Sequence, residues 1–167
     1  KKSGRIASEG LVEAYIHANG KIGVLLEVNC ETDFVALNDG FQDLVRDLAM
    51  HIAASAPEYV SRDEVPGDIA EKERRVQLAR TIEEGKPEHI AEKIVEGRMN
   101  KWFQDICLLE QKYVKDDEKT VEQIVQDSIA TIGENIKVRR FSRFVLGEGL
   151  EKRSDDFAAE VAAQAGV

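Results

Sequence analysis

Two stretches of alternating side chains, Leu11–His17 and Ile22–Cys30, constrain this chain more than any other feature. A period of two belongs to a strand with one covered face. Only Ala18-Asn19-Gly20-Lys21 separates the two runs, so they predict an antiparallel hairpin. Val12, Ala14 and Ile16 share one face of the first run, and Ile22, Val24, Leu26, Val28 and Cys30 share one face of the second. The Asn-Gly pair favours a two-residue turn. That register opposes Ile16 to Gly23 and Val12 to Glu27, which sets the apolar faces against each other. A three-residue loop with Gly20 left-handed opposes Ile16 to Ile22 and Ala14 to Val24. It is the expected register, because burial of one face fixes pairing more strongly than a dipeptide does. A third strand is expected at Ile136–Leu146. Its apolar parity shifts from Ile136 and Val138 to Phe141 and Val145, which predicts a bulge near Arg139-Arg140.

The remaining periodicity is helical. Asp39 with Gln42 resembles a capping box, Phe41, Leu44, Val45, Leu48, Ile52 and Ala53 fall on one face, and Pro57 ends the run. Asp68 and Glu71 mark a second start, for a charged helix running to about Glu84. Gly85-Lys86-Pro87 then turns the chain into a helix with a wide stripe: Ala91, Ile94, Val95, Met99, Trp102, Phe103 and Ile106. A hairpin of these two helices is expected to leave part of that stripe for the sheet or for a second copy of the chain. Gly97 within it marks a close contact or a kink. Lys115–Lys119 reads as a charged connector. Thr120 and Gln123 cap the next helix, with Val121, Ile124, Val125, Ile129 and Ile132 inward and Gly133 closing it. Asp155 or Asp156 caps a last helix carrying Phe157, Val161 and Ala162. The fold class is therefore α+β: a three-stranded antiparallel sheet covered by helices, a projecting helical hairpin and a C-terminal helix. One core is expected, with the first hairpin and its helix in 1–67, the helical hairpin in 68–114, the last core helix and third strand in 115–150, and a C-terminal module in 151–167.

Composition narrows the chemistry. With 43% hydrophobic residues the 167-residue chain can build a core, and its formal net charge of -9 argues against direct contact with nucleic acid. No apolar run approaches about 18 residues, so no membrane span is expected. Lys1-Lys2-Ser3-Gly4 leads into no secretory apolar region. Cys30 and Cys107 stand far apart with no zinc-like spacing, which points to a reducing, cytoplasmic or organellar setting, with no cofactor and no metal. A cysteine nucleophile at Cys30, served by His17 or His51, is the first enzymatic rival. Cys30 shares parity with core residues, however, and buried cysteine is common. Gly147-Glu148-Gly149 lacks phosphate-loop spacing. Arg139, Arg140 and Arg143 read as an edge strand protected by charge. The expectation is a binding protein rather than an enzyme, with a Cys30 enzyme and an oligomer built on the helical hairpin as rivals.

At the junction between the second strand and its helix, Asn29–Asn38 reads Asn-Cys-Glu-Thr-Asp-Phe-Val-Ala-Leu-Asn. Connections run over the surface, so Phe34 there is either an anchor for a partner's pocket or folded back under its own helix. The stretch Asn29–Ala36 closely resembles the signature of the elongation factor Ts family. The likeness extends to Lys21–Leu26, Met50–Ala54, Gly85–Glu88, Glu92–Met99, Arg140-Phe141, Gly147–Gly149 and Asp156–Gln164. Leu37 departs from it, where the family usually carries Lys or Arg. Members begin with a small three-helix domain, and the present sequence opens just after where that would end. The single set of strands resembles short members, which pair as homodimers. The resemblance implies guanine-nucleotide exchange on elongation factor Tu, without covalent chemistry. Thr32, Asp33, Phe34 and Val35 would meet the GTPase. Phe34 would enter near the switch helix that holds the magnesium shell, and Asp33 would hold the loop in place. Phe157 and Val161 of the C-terminal module would add contacts. A GTPase-binding scaffold or chaperone-like module without exchange activity is the alternative.

Overall fold

The computed structural model describes residues 2–152 and 157–164, the side chains of 157–160 excepted. Strands β1 (Glu9–His17), β2 (Ile22–Cys30) and β5 (Ile136–Val145) form one antiparallel sheet in the order β1-β2-β5. A single-turn helix α1 (Asp33–Ala36) leads into α2 (Asp39–Ser55), which packs across β1 and β2. Then come α3 (Gly67–Glu83) and α4 (Glu88–Ile106), a small antiparallel pair β3 (Lys112–Tyr113) and β4 (Asp116–Thr120), α5 (Val121–Ile132) and, after β5, α6 (Phe157–Gln164). The expected α+β class is therefore found. The Lys115–Lys119 connector belongs largely to β4 rather than to an irregular segment.

The core forms where the alternating β2 face meets the helical stripes. Val24, Leu26, Val28 and Cys30 lie against Phe41, Val45, Leu48 and Ile52 of α2, with Val121, Val125 and Ile129 of α5 in the same cluster. The β1–β2 register corrects the expectation. Ile16 stands opposite Gly23 and Val12 opposite Glu27, the pairing that face matching had set aside. The physical reason is that β1 is turned over. Leu11 and Tyr15 pack on the core, opposite Val28 and Val24, while Val12 and Ile16 are exposed on the outer face. Four residues connect the strands, with Ala18, Asn19 and Gly20 all at positive φ. Near its start β1 presses closely on β2: a Cβ on Gly10 (φ +138°) would lie 2.1 Å from the Val28 carbonyl oxygen, so only glycine fits.

Capping was partly foreseen. Thr120 and Gln123 make the full reciprocal box at α5, and Gly133 closes that helix at φ +90°. The α2 cap is Asn38 rather than Asp39; its side chain accepts from the Phe41 N–H at 3.2 Å. α3 starts at Gly67 behind Pro66, without the side-chain cap expected from Asp68. In β5 the predicted bulge is present: Glu27 pairs with Arg140 and Val28 with Val138. The neighbouring arginines do more than guard an edge. Arg139 and Arg140 both reach the Glu27 carboxylate at 3.0 Å, and Arg143 donates to the Ala53 carbonyl of α2 at 3.0 Å.

The helical hairpin covers part of its own stripe. Ala91, Val95, Met99 and Ile106 of α4 are buried within the chain, and Ile94, Trp102 and Phe103 are half-buried. The stripe is thus covered in part within the chain, and Ile94, Trp102 and Phe103 keep part of their surface in solvent. Arg98 bridges to α3, donating to Thr81 at 3.0 Å and to Glu84 at 2.6 Å. Gly97 faces open space and marks no close contact.

Candidate functional site

The strand-to-helix corner at Thr32–Leu37 is built from the backbone outward. Cys30, the last β2 residue, points into the core, and its thiol donates to the Thr32 carbonyl at 3.2 Å. Burial pushes the Cys30 pKa up to about 11, so at neutral pH it is a packed thiol, not a thiolate nucleophile. Thr32 then caps α1, accepting from the Val35 N–H at 3.3 Å. One helical turn gains too few hydrogen bonds to hold itself. The missing support comes from the turn between α5 and β5. Glu134 Oε1 accepts from the Glu31 and Thr32 N–H groups at 3.1 and 3.0 Å, and Oε2 accepts from the Thr32 hydroxyl at 2.8 Å. Asn135 completes the clamp: its N–H donates to Glu31 Oε1 at 2.9 Å, and its side chain donates to the Arg5 carbonyl at 2.7 Å.

On this fixed backbone the expected site residues divide cleanly. Val35 is half-buried and packs against the core, so it roots the corner. Thr32 is half-buried and occupied by the clamp. Asp33 is exposed in the first turn of α1. Phe34 is 82% exposed and Leu37 73% exposed, one turn apart, so the corner offers two adjoining apolar side chains to solvent. Of the two readings of Phe34, folding back is excluded. In the C-terminal module Val161 is exposed, while the Phe157 side chain and the Asp155 or Asp156 cap lie outside the described residues. Glu134 and Asn135 were missed from sequence. A Gly-Glu-Asn turn gives no local sign that its carboxylate serves a backbone 102 residues earlier.

The other titratable groups are structural. His51 is fully buried; Val114 N–H donates to its Nδ1 at 3.1 Å, so its Nε2 carries the proton and donates to Gln111 at 2.9 Å. Burial holds its pKa below the usual histidine range, against a smaller opposing effect from Gln111. Cys107 is likewise buried, with its pKa pushed up to about 11. Among the described residues no cluster of three or more His, Cys, Asp or Glu could hold a metal ion, and no helix is long and apolar enough to cross a membrane.

The α+β core thus carries a hydrogen-bonded corner tipped by two exposed apolar side chains. Comparison with known proteins gives the family. Residues 2–148 match the family model described as elongation factor Ts. The chain is 64% identical to elongation factor Ts of Geobacter metallireducens over 167 residues, which is 100% of this chain and 77% of that protein. It is 62% identical to the Geobacter sulfurreducens protein over the same shares, and 60% identical to that of Desulforamulus reducens over 98% of this chain and 76% of the relative. The chain belongs to the elongation factor Ts family.

Proposed function

We propose that this chain promotes release of GDP from elongation factor Tu during translation elongation, acting by contact alone and not by covalent chemistry. The observation that carries the reading is Phe34, 82% exposed on a backbone hydrogen-bonded from both sides. A ring carried on a backbone already hydrogen-bonded spares the complex the cost of ordering that backbone when the ring enters a pocket. In this reading Phe34 enters the GTPase beside its magnesium and phosphate site, with Leu37 adjoining. Asp33 supplies a charged contact, and Thr32 and Val35 hold the loop. Magnesium demands near-ideal octahedral geometry, so a small displacement of its ligands weakens nucleotide binding steeply. By linkage, a factor that prefers the nucleotide-free GTPase lowers nucleotide affinity by the same ratio.

Magnitude sets a limit on Phe34 acting alone. Burying one phenylalanine contributes about 1.5–3 kcal/mol, or roughly one to two decades of affinity. Further differential contacts, with Val161 and Phe157 of the C-terminal module among them, supply the remainder. Stopped-flow release of labelled GDP from elongation factor Tu tests the reading. Catalytic amounts of the chain should accelerate release, and Phe34→Ala should slow it without abolishing complex formation. Binding without acceleration would favour a scaffold role instead.

The setting proposed is the cytoplasm, and the working form a homodimer. The exposed Val12, Ile16, Leu25 and Phe144 support a second copy on the outer sheet face, where Ile16, Gly23 and Phe144 align across the three strands. Light scattering of Leu25→Glu reads this directly: a monomer is expected, and an unchanged dimer would move the interface elsewhere.

A further inference from the structure

We infer that Glu134 is a positioning residue for the exchange corner: its carboxylate fixes the backbone from which Phe34 projects. The inference rests on the role proposed above for Phe34, and it adds the part of the chain that aims the ring. Three donors converge on one acceptor-only group: the Glu31 and Thr32 N–H groups and the Thr32 hydroxyl. Bonds to a charged acceptor are the stronger kind. With its proton committed to Glu134, the Thr32 oxygen turns its lone pairs toward the Val35 N–H. The carboxylate therefore acts twice, on the last residues before α1 directly and on α1 through Thr32.

Among the described residues the other side-chain hydrogen bonds to this backbone are neutral: the Cys30 thiol to the Thr32 carbonyl, the Val35 N–H to the Thr32 hydroxyl and the Gln42 amide to the Ala36 carbonyl. The helix has four residues, its Phe34 ring is exposed, and its inner anchors are Val35 and the buried Ala36. The turn bearing Glu134 is itself pinned. Gly133 takes the left-handed conformation that ends α5, and Asn135 is buried, donating to Glu31, Ser3 and Arg5. Arg5 in turn meets the Glu31 carboxylate at 3.7 Å. Removing the Glu134 carboxylate leaves two backbone N–H groups and one hydroxyl without their acceptor. The Thr32 side chain is then free to turn away from Val35, and the direction of Phe34 spreads.

The geometry ranks the substitutions. Alanine removes all three acceptor contacts. Aspartate is one methylene too short to span both sites. Glutamine keeps the length and one oxygen for the paired N–H groups, and the Thr32 hydroxyl can rotate to accept from its amide. Glu134→Ala and Glu134→Asp should each slow GDP release about tenfold, the factor that corresponds to 1.4 kcal/mol, and Glu134→Gln should recover most of the rate.

A double-mutant cycle with Phe34→Ala separates aiming from general weakening. Once the ring is gone, Glu134→Ala should change the release rate less than about twofold. Hydrogen exchange on the free chain supplies the second readout: in Glu134→Ala the Glu31 and Thr32 amides should exchange faster while those of β2 and α2 stay protected. Equal slowing with and without the Phe34 ring would overturn the inference, as would unchanged release in Glu134→Ala. Undisturbed Glu31 and Thr32 amides in that variant would overturn it independently of any rate. An unaltered rate for Phe34→Ala alone would instead sink the exchange role of the corner, so the two failures are told apart.

Discussion

The corner at Thr32–Leu37 and the α3–α4 hairpin both looked, in sequence, like regions with apolar side chains left over. They resolve differently. The hairpin buries Val95 and Met99 and leaves Ile69, Val76, Ile82 and Ile90 exposed singly among pairs such as Lys101–Asp105. The corner turns its backbone inward, clamped by Glu134, and shows solvent Phe34 and Leu37. In one region apolar burial holds the structure. In the other polar bonds hold it and leave the apolar groups available. Surplus hydrophobicity in the sequence therefore does not by itself say which side chains the fold will leave in solvent.

The largest effect that tests this contrast is on stability. Val95→Asp places a charge at a buried hairpin position and should cost more than about 3 kcal/mol, read as a lowered urea midpoint. Phe34→Ala should move that midpoint by less than about 0.5 kcal/mol, because an exposed side chain has little to lose. A comparable loss at both sites would break the comparison. In an exchange assay the ranking should invert: Phe34→Ala slows release roughly ten- to hundredfold, whereas folded Val95→Asp retains its activity per folded molecule.

A pH-dependent effect is expected at the hairpin root, where Gln111 receives the His51 proton and donates to the Ser55 and Asp105 carbonyls. The folded pKa of His51 lies below its unfolded value, so the fold favours the neutral ring. The associated stability is whole above the unfolded pKa, about 6.5, and is lost as pH falls through the lower folded pKa. Thermal melts from pH 7.5 downward should show a falling limb below about 6.5 that is shallower in His51→Gln. An identical limb in both proteins would remove His51 as its source. The smallest effect belongs to Gly97, where an added methyl meets only solvent. Gly97→Ala should stabilise the hairpin by about 0.5–1 kcal/mol, seen as a rise in melting temperature with no change in exchange. A drop would reveal a backbone constraint there.

Elements with one self-consistent periodicity were legible. The α2 stripe, the Thr120–Gln123 box, the left-handed Gly133 and the β5 bulge each follow from local spacing. β1 was misread because both its parities carry apolar side chains: Val12, Ala14 and Ile16 on one, Leu11 and Tyr15 on the other. Only the position of α2 decides between them, and that is not a local property. β3 and β4 went unseen because charged residues carry no alternation. At the corner the exposed ring was readable as one of two alternatives, and its family motif was plain. The clamp was not, because hydrogen bonds between residues far apart leave no period in the sequence.

The extra residue in β5 has a consequence for the third strand as a whole. Since Arg140 faces Glu27 and Val138 faces Val28, Arg139 is supernumerary in the ladder. Were Arg139 instead paired opposite Glu27, with no bulge, every residue beyond it would be rolled to the opposite face. Phe144 would be carried beneath α2, and Arg143 would be swung off the Ala53 carbonyl it now grips. One residue left out of the ladder thus sets which side of the strand is oily and which is wet.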